Sequence, residues 1–142
     1  WDKFWSNGIS NPLQAIEQMS YLIFMKRLED EDVKREQNAN LRNEKFVSMF
    51  KGNEDCKWSV WTNYPADKIL AHVRNKVFPF LQNLGDEGSL YATYMKDAVF
   101  SIPVASLLIE SVKLKTSTHN FTLHQTKNKN LKSIWKKKWM EL

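Results

Sequence analysis

The residues able to do chemistry in this chain are few and scattered. Three histidines and one cysteine, His72, His119, His124 and Cys56, are the candidates for metal binding or for nucleophilic catalysis. His72 sits between Ala71 and Val73 in a helix-like stretch, where packed or surface histidines are commoner than ligands. His119 and His124 are five apart, a spacing that puts them on opposite faces of a strand and well apart around a helix, and no cysteine pair completes a zinc site. Cys56 lies in a polar stretch without a recognisable histidine partner pattern. A metal centre and a cysteine or serine nucleophile are therefore not expected. The run Glu29-Asp30-Glu31-Asp32 reads as solvated charge rather than as a metal or partner site.

These residues must be carried by helices. Asn11 is a good N-cap, Pro12 falls at the first helical position, and Gln14 sits where a capping-box side chain reaches back. From there Leu13, Ile16, Met19 and Ile23 recur, with Tyr21, Leu22, Phe24, Met25 and Leu28 widening the stripe. The helix is expected to be central and to exit through Lys26-Arg27 and the acidic run. The stretch from Asp30 to Trp61 reads as a long polar connection, broken by Asn38, Asn40, Asn43, Gly52 and Asn53, with Leu41, Phe46, Val47, Met49 and Phe50 as possible anchors. Trp58 and Trp61 read as aromatic pins for this connection; the sharper alternative is a base-stacking platform.

Pro65 fits a second helix start, and Ile69, Leu70, Val73, Val77 and Leu81 recur at helical spacing. Pro79 should kink or restart that helix near Phe78, and Gly85 should stop it. Ser89 is placed to cap a further helix with Leu90, Tyr91, Tyr94, Met95, Ala98 and Val99 on its buried side. Ile102-Pro103 breaks the chain before Val104, Leu107, Leu108 and Val112. Nothing up to Val112 alternates with period two. The expected fold is all-α: a helical bundle over 1–112 with about four main helices and one long irregular connection, then a basic tail over 113–142. Within that tail Phe121-Thr122-Leu123 makes a short strand or a loop, and Leu131–Leu142 has the pattern of an amphipathic helix.

At 142 residues, 42% hydrophobic and 26% charged, the chain has the composition of one ordinary globular domain. The longest apolar run, Tyr21–Met25, is far short of the roughly 20 residues of a membrane span, and no secretory pattern is present. The start at Trp1 rather than Met suggests a trimmed fragment. A single cysteine excludes an internal disulfide and fits a reducing cytoplasm. The net charge of +5 is unevenly placed: residues 1–109 hold 13 Lys plus Arg against 14 Asp plus Glu, whereas residues 110–142 hold 8 Lys against 2 Glu. The body thus offers no charge argument of its own for nucleic acid.

Several segments together resemble a known family. They are Phe4–Asp30, Trp58-Ser59-Val60-Trp61, Asp67–Phe78 leading into Pro79-Phe80-Leu81, and Tyr94-Met95-Lys96-Asp97-Ala98-Val99-Phe100 followed by Ile102-Pro103. Their order and spacing over Trp1 to Ile109 resemble the N-terminal helical domain of the modification (M) subunit of type I restriction-modification systems, which are DNA adenine-N6 methyltransferases. The tail departs from the family's pattern, in which the last bundle helix leads into the catalytic domain. It is either a docking helix, a binding element, or the non-native ending of a truncated or frame-altered gene.

The resemblance implies a non-catalytic lobe whose parent uses S-adenosylmethionine and whose partners are the specificity subunit, a second M subunit, the restriction subunit and double-stranded DNA, with no membrane role. The glycine-rich turn and the Asn-Pro-Pro-aromatic loop of an amino-methyltransferase are both missing, and Asn11-Pro12 reads as a helix cap instead. No catalytic, cofactor-binding or metal residues are expected in this chain. DNA-contact candidates are Lys26, Arg27, Arg74 and Lys76, with Lys136, Lys137 and Lys138 if the tail is native; ordinary surface charge is the competing reading for each. Two alternatives stand beside this one. The lobe is a purely structural protein–protein interaction module that does not contact DNA, or the chain is a free-standing basic helical protein working through its Lys/Trp tail.

Overall fold

In a computed structural model the described residues are 8, 9 and 11–117, with side chains as far as Lys113. The regular elements among them are all helical, with no strand. The elements are α1 (Pro12–Leu41), a 3-10 turn (Glu54–Cys56), α2 (Trp58–Trp61), α3 (Ala66–His72), a π turn (Val73–Val77), α4 (Phe78–Gln82), α5 (Leu90–Lys96) and α6 (Ala105–Ser117).

The start of α1 follows from its sequence. Asn11 is extended and its Oδ1 accepts from the Leu13 amide at 2.9 Å, with Pro12 beginning the helix. Gln14 does not close a capping box: its Nε2 donates across to Ser101 Oγ at 2.9 Å, because the chain before α6 lies alongside this turn. The buried stripe is also phased differently from expectation. Leu13 is 72% exposed, and the buried side is Ala15, Gln18, Tyr21, Leu22, Phe24, Met25, Leu28 and Asp32. Gln18 takes a core position because Val99 and Ser101 satisfy its amide, which turns the helix so that Leu13 faces out.

α1 does not exit at the acidic run but continues to Leu41, 30 residues in all. Lys34, Arg35, Glu36, Gln37 and Ala39 are good helix formers, so Asn38 and Asn40 do not suffice to break it. The end is instead set at Asn43, whose φ of 57° is left-handed. The Glu44 amide returns to Ala39 O at 2.9 Å and the Asn43 amide to Asn40 O at 3.2 Å, a Schellman cap with Asn in the place usual for Gly. The irregular connection is therefore shorter than expected, about from Arg42 to Asn53. Phe50 anchors it by burial, whereas Leu41 and Val47 stay exposed.

Ile69, Val73, Val77 and Leu81 all enter the core, and Leu70 packs at its edge. Pro65 caps α3 from just outside, so the helix proper begins at Ala66. Pro79 lacks the N–H that would satisfy the carbonyl one turn back; the backbone ahead of it widens into the π turn, with the Phe78 amide bonded to Val73 O, and ordinary helix resumes at Phe78. Ser89 caps α5 through the Ala92 amide at 3.1 Å. Only Tyr91 and Met95 of that helix are buried; Leu90 and Tyr94 are exposed because α5 rests on α4 by one narrow face, and Val99, expected on its buried side, lies beyond the helix end at Lys96 and is exposed. A Cβ on Gly85 would stand 2.5 Å from the Tyr91 ring, so the loop before α5 needs a glycine there.

α6 packs against both α1 and α3, with Leu107, Leu108 and Val112 turned inward. An aromatic chain crosses the centre: Tyr21 meets Phe78 edge-on at 5.1 Å, Phe78 meets Phe100 at 5.6 Å, and Phe24 meets Tyr91 at 5.7 Å. The expectations placed on Phe121-Thr122-Leu123, on His119 and His124 and on the Leu131–Leu142 helix lie outside the described residues.

Candidate nucleic-acid interface

The four described basic candidates fall on two elements. Lys26 and Arg27 are consecutive on α1, and Arg74 and Lys76 lie in the π turn. Lys26 is ion-paired with Asp30 one turn on, and Lys76 with Asp55 of the 3-10 turn. The hydrogen bond between them holds the Asp55 carboxyl below its ordinary range and the Lys76 ammonium above its own. Arg74 donates from Nη2 to Ile102 O at 2.6 Å, which ties the π turn to the segment before α6 while leaving its charge uncompensated. Arg27 is exposed and makes no ion pair among the described residues. Lys136, Lys137 and Lys138 lie outside the described residues. The structure therefore does not assemble these lysines and arginines into one patch.

His72 is tied to the 3-10 turn that carries Cys56. His72 Nε2 stands 2.9 Å from Asp55 O and its ring meets Tyr64 edge-on at 4.7 Å, while Cys56 follows Asp55 directly. The Cys56 thiol is buried, and burial first, with the Asp55 charge beside it, pushes its pKa up to about 11. A thiol held protonated in this way is no nucleophile near neutral pH. No group of His, Cys, Asp and Glu suited to a metal ion occurs among the described residues. Trp58 and Trp61 are both buried and meet each other edge-on at 4.9 Å, so they pin the connection and offer no face to a base.

The acidic run has a structural role that its sequence does not announce. Glu29 accepts from the Ser59 amide at 2.8 Å and from its hydroxyl, fixing the start of α2. Asp32 is buried and accepts from the Met49 amide at 2.8 Å and from Ser48 Oγ. Only Asp30 and Glu31 remain the exposed charges expected of all four. Nothing local could have separated them; the partners lie 16 to 30 residues away.

Sequence reasoning also missed where α1 is free. Beyond Asp32 it leaves the body, and every residue of 33–45 except Ala39 is exposed. A helix polar on all sides normally bridges between bodies or waits for a partner. Lys34, Arg35 and Arg42 sit on this end, exposed and without an ion pair or side-chain hydrogen bond among the described residues. The extension of the helix past the acidic run is what places them in line with Arg27.

A long helix with shorter ones packed along one half and a free charged end define an all-helical domain. The sequence matches the family model described as the HsdM N-terminal domain over residues 1–134, past the Ile109 limit of the resemblance read from motifs. The chain belongs to this family, the N-terminal domain of the modification subunit of type I restriction-modification systems. No curated protein and no solved structure matches it.

The methyltransferase domain of such a subunit uses S-adenosylmethionine. The described residues do not fit that group: Gly8, Gly52 and Gly88 occupy separate turns with positive φ, and no strand precedes any of them. No helix among the described residues is long and apolar enough to cross a membrane.

Proposed function

We propose that this chain is the non-catalytic N-terminal lobe of a cytoplasmic DNA adenine-N6 methyltransferase, helping the M subunit to clamp duplex DNA and to assemble with the specificity subunit, the second M subunit and the restriction subunit. The match to the N-terminal domain family over nearly the whole chain carries this reading. An enzyme acting on a base must extrude it from the stack, and a lobe that holds the deformed duplex offsets part of the unstacking cost. Contacts from such a lobe go mainly to phosphates, positioning the duplex without reading sequence. The bundle expected over 1–112, whose α6 runs on to Ser117, supplies the clamp, and the basic tail of 113–142 adds phosphate contact through Lys136, Lys137 and Lys138 where it is native. S-adenosylmethionine belongs to the catalytic domain of the parent subunit. Cross-linking of the complete enzyme on duplex DNA tests this: DNA cross-links within the helices support it, and none at any helical residue removes the clamp.

A second reading, a purely structural interaction module that never touches DNA, is favoured by the ion pairing of Lys26 and Lys76 and the near-neutral body. Cross-links to other subunits alone would establish it.

A further inference from the structure

We infer that the free end of α1 is the edge by which this lobe grips DNA: Arg27, Lys34, Arg35 and Arg42 form a basic stripe that takes the phosphates of a duplex backbone. The proposal rests on the clamp reading and names its contact surface.

At about 100° per residue, the four cations fall within roughly 100° of arc around α1. They are spread over about 22 Å of helix length, since 15 residues at about 1.5 Å each separate the first from the last. All four are exposed, and none is engaged in an ion pair or side-chain hydrogen bond among the described residues. Lys26 and Lys76 differ in this respect, since each already faces a carboxylate. Asn38 lies within the same arc and adds a neutral donor, and Glu31 is the single acid inside it.

The occupant follows from charge complementarity. The carboxylates Glu29 and Asp32 are turned away to Ser59 and to Ser48 and Met49, so the acidic run that neutralises this stretch in the sequence does not neutralise its exposed face. What remains is three arginines and a lysine in a row on a rigid support, with a net positive face and one exposed apolar side chain, Leu41, at its border. Arginine forks suit phosphate oxygens. A polyanion with charges repeated along a line fits a linear stripe better than an isolated acidic patch would. The helix needs no rearrangement to present it, because Asp32 and the cap at Asn43 fix both ends of the free segment.

The test uses the complete modification enzyme and an unmodified cognate duplex, with binding measured across a range of salt. Lys34→Gln, Arg35→Gln and Arg42→Gln are combined in one variant. A matched control combines Lys51→Gln, Lys68→Gln and Lys96→Gln, which are exposed elsewhere on the lobe. Each phosphate contact contributes about 0.9 to the slope of log Kobs against log salt, so the stripe variant should lose roughly 3 from that slope and the control far less. Glu31→Gln should tighten binding. An unchanged slope in the stripe variant, or an equal loss in the control, overturns the proposal. So does dissociation of the enzyme without DNA, which would assign the stripe to an acidic protein partner. If the stripe fails while DNA cross-links appear on other helices, the clamp reading survives; if no helix cross-links, both fall together.

Discussion

Gln18 and Ser101 are joined as two strands of a sheet would be, by a side chain in place of a backbone: Gln18 Oε1 accepts from the Ser101 amide at 2.9 Å, and its Nε2 donates to Val99 O at 2.9 Å. Gln18 is 1% exposed, and this pairing sews the first half of α1 to the irregular segment ahead of α6. Gln18→Leu would leave a partly buried N–H and C=O without partners. The expected loss is about 2–6 kcal/mol, at roughly 1–3 per orphaned group, read from urea unfolding of the chain. An unchanged midpoint would mean that water replaces the amide at no cost.

Asp32 does the same for the connection. Asp32→Ala should destabilise by about 1–3 kcal/mol and expose the amides of Met49 and Phe50 to faster hydrogen exchange, while the amides of α6 keep their protection. Uniform loss of protection would show that the connection and the core open as one unit.

Trp61 is fully buried, yet its indole N–H has no hydrogen-bond partner among the described residues. Trp61→Ala should cost about 3–5 kcal/mol through the cavity it leaves. Trp61→Phe should cost much less, because the polar atom it removes is already unsatisfied. Thermal unfolding of the two variants side by side decides it; equal costs would point to a bound water on the indole nitrogen.

The Asp55–Lys76 pair predicts a mild pH dependence on both sides of neutrality. Asp55 is lowered on folding, so what it contributes is present above its ordinary value of 3.8 and is lost as pH falls through the lower folded value. Lys76 is raised, so its contribution is intact below its ordinary 10.5 and is lost as pH climbs through the higher folded value. Both groups are exposed enough for solvent to screen the pair strongly. Lys76→Met should return the Asp55 carboxyl toward its ordinary pKa in an NMR titration, and a carboxyl that stays low would trace the shift to another partner.

Cys56 should resist alkylation. With its thiol buried and its pKa near 11, iodoacetamide at pH 8 should leave the native protein essentially unmodified and label it fully once unfolded in urea. Rapid labelling of the native chain would mean that the 3-10 turn opens easily.

Local chemistry made much of this domain legible in the sequence. The caps at Asn11 and Ser89, the core positions Ile69, Val73, Val77 and Leu81, the restart at Phe78 and the burial of Trp58 and Trp61 each follow from residue type and short spacing. The order of motifs along the chain pointed to the family that the match over residues 1–134 then established.

What depended on distant partners could only be decided in three dimensions. Leu13 and Gln18 compete for the inward face of α1, and periodicity favours the leucine; the buried amide wins because Val99 and Ser101 meet it from more than 80 residues away. Glu29, Asp30, Glu31 and Asp32 are alike as a string of acids, and become two structural acceptors and two exposed surface charges, Asp30 among them paired with Lys26, only when Ser59, Ser48 and Met49 are folded against the other two. The length of α1 turns on the same contacts. Propensity alone leaves a polar helix marginal in water, and the anchored Asp32 together with the Asn43 cap lets it run on as the exposed arm that carries Lys34, Arg35 and Arg42.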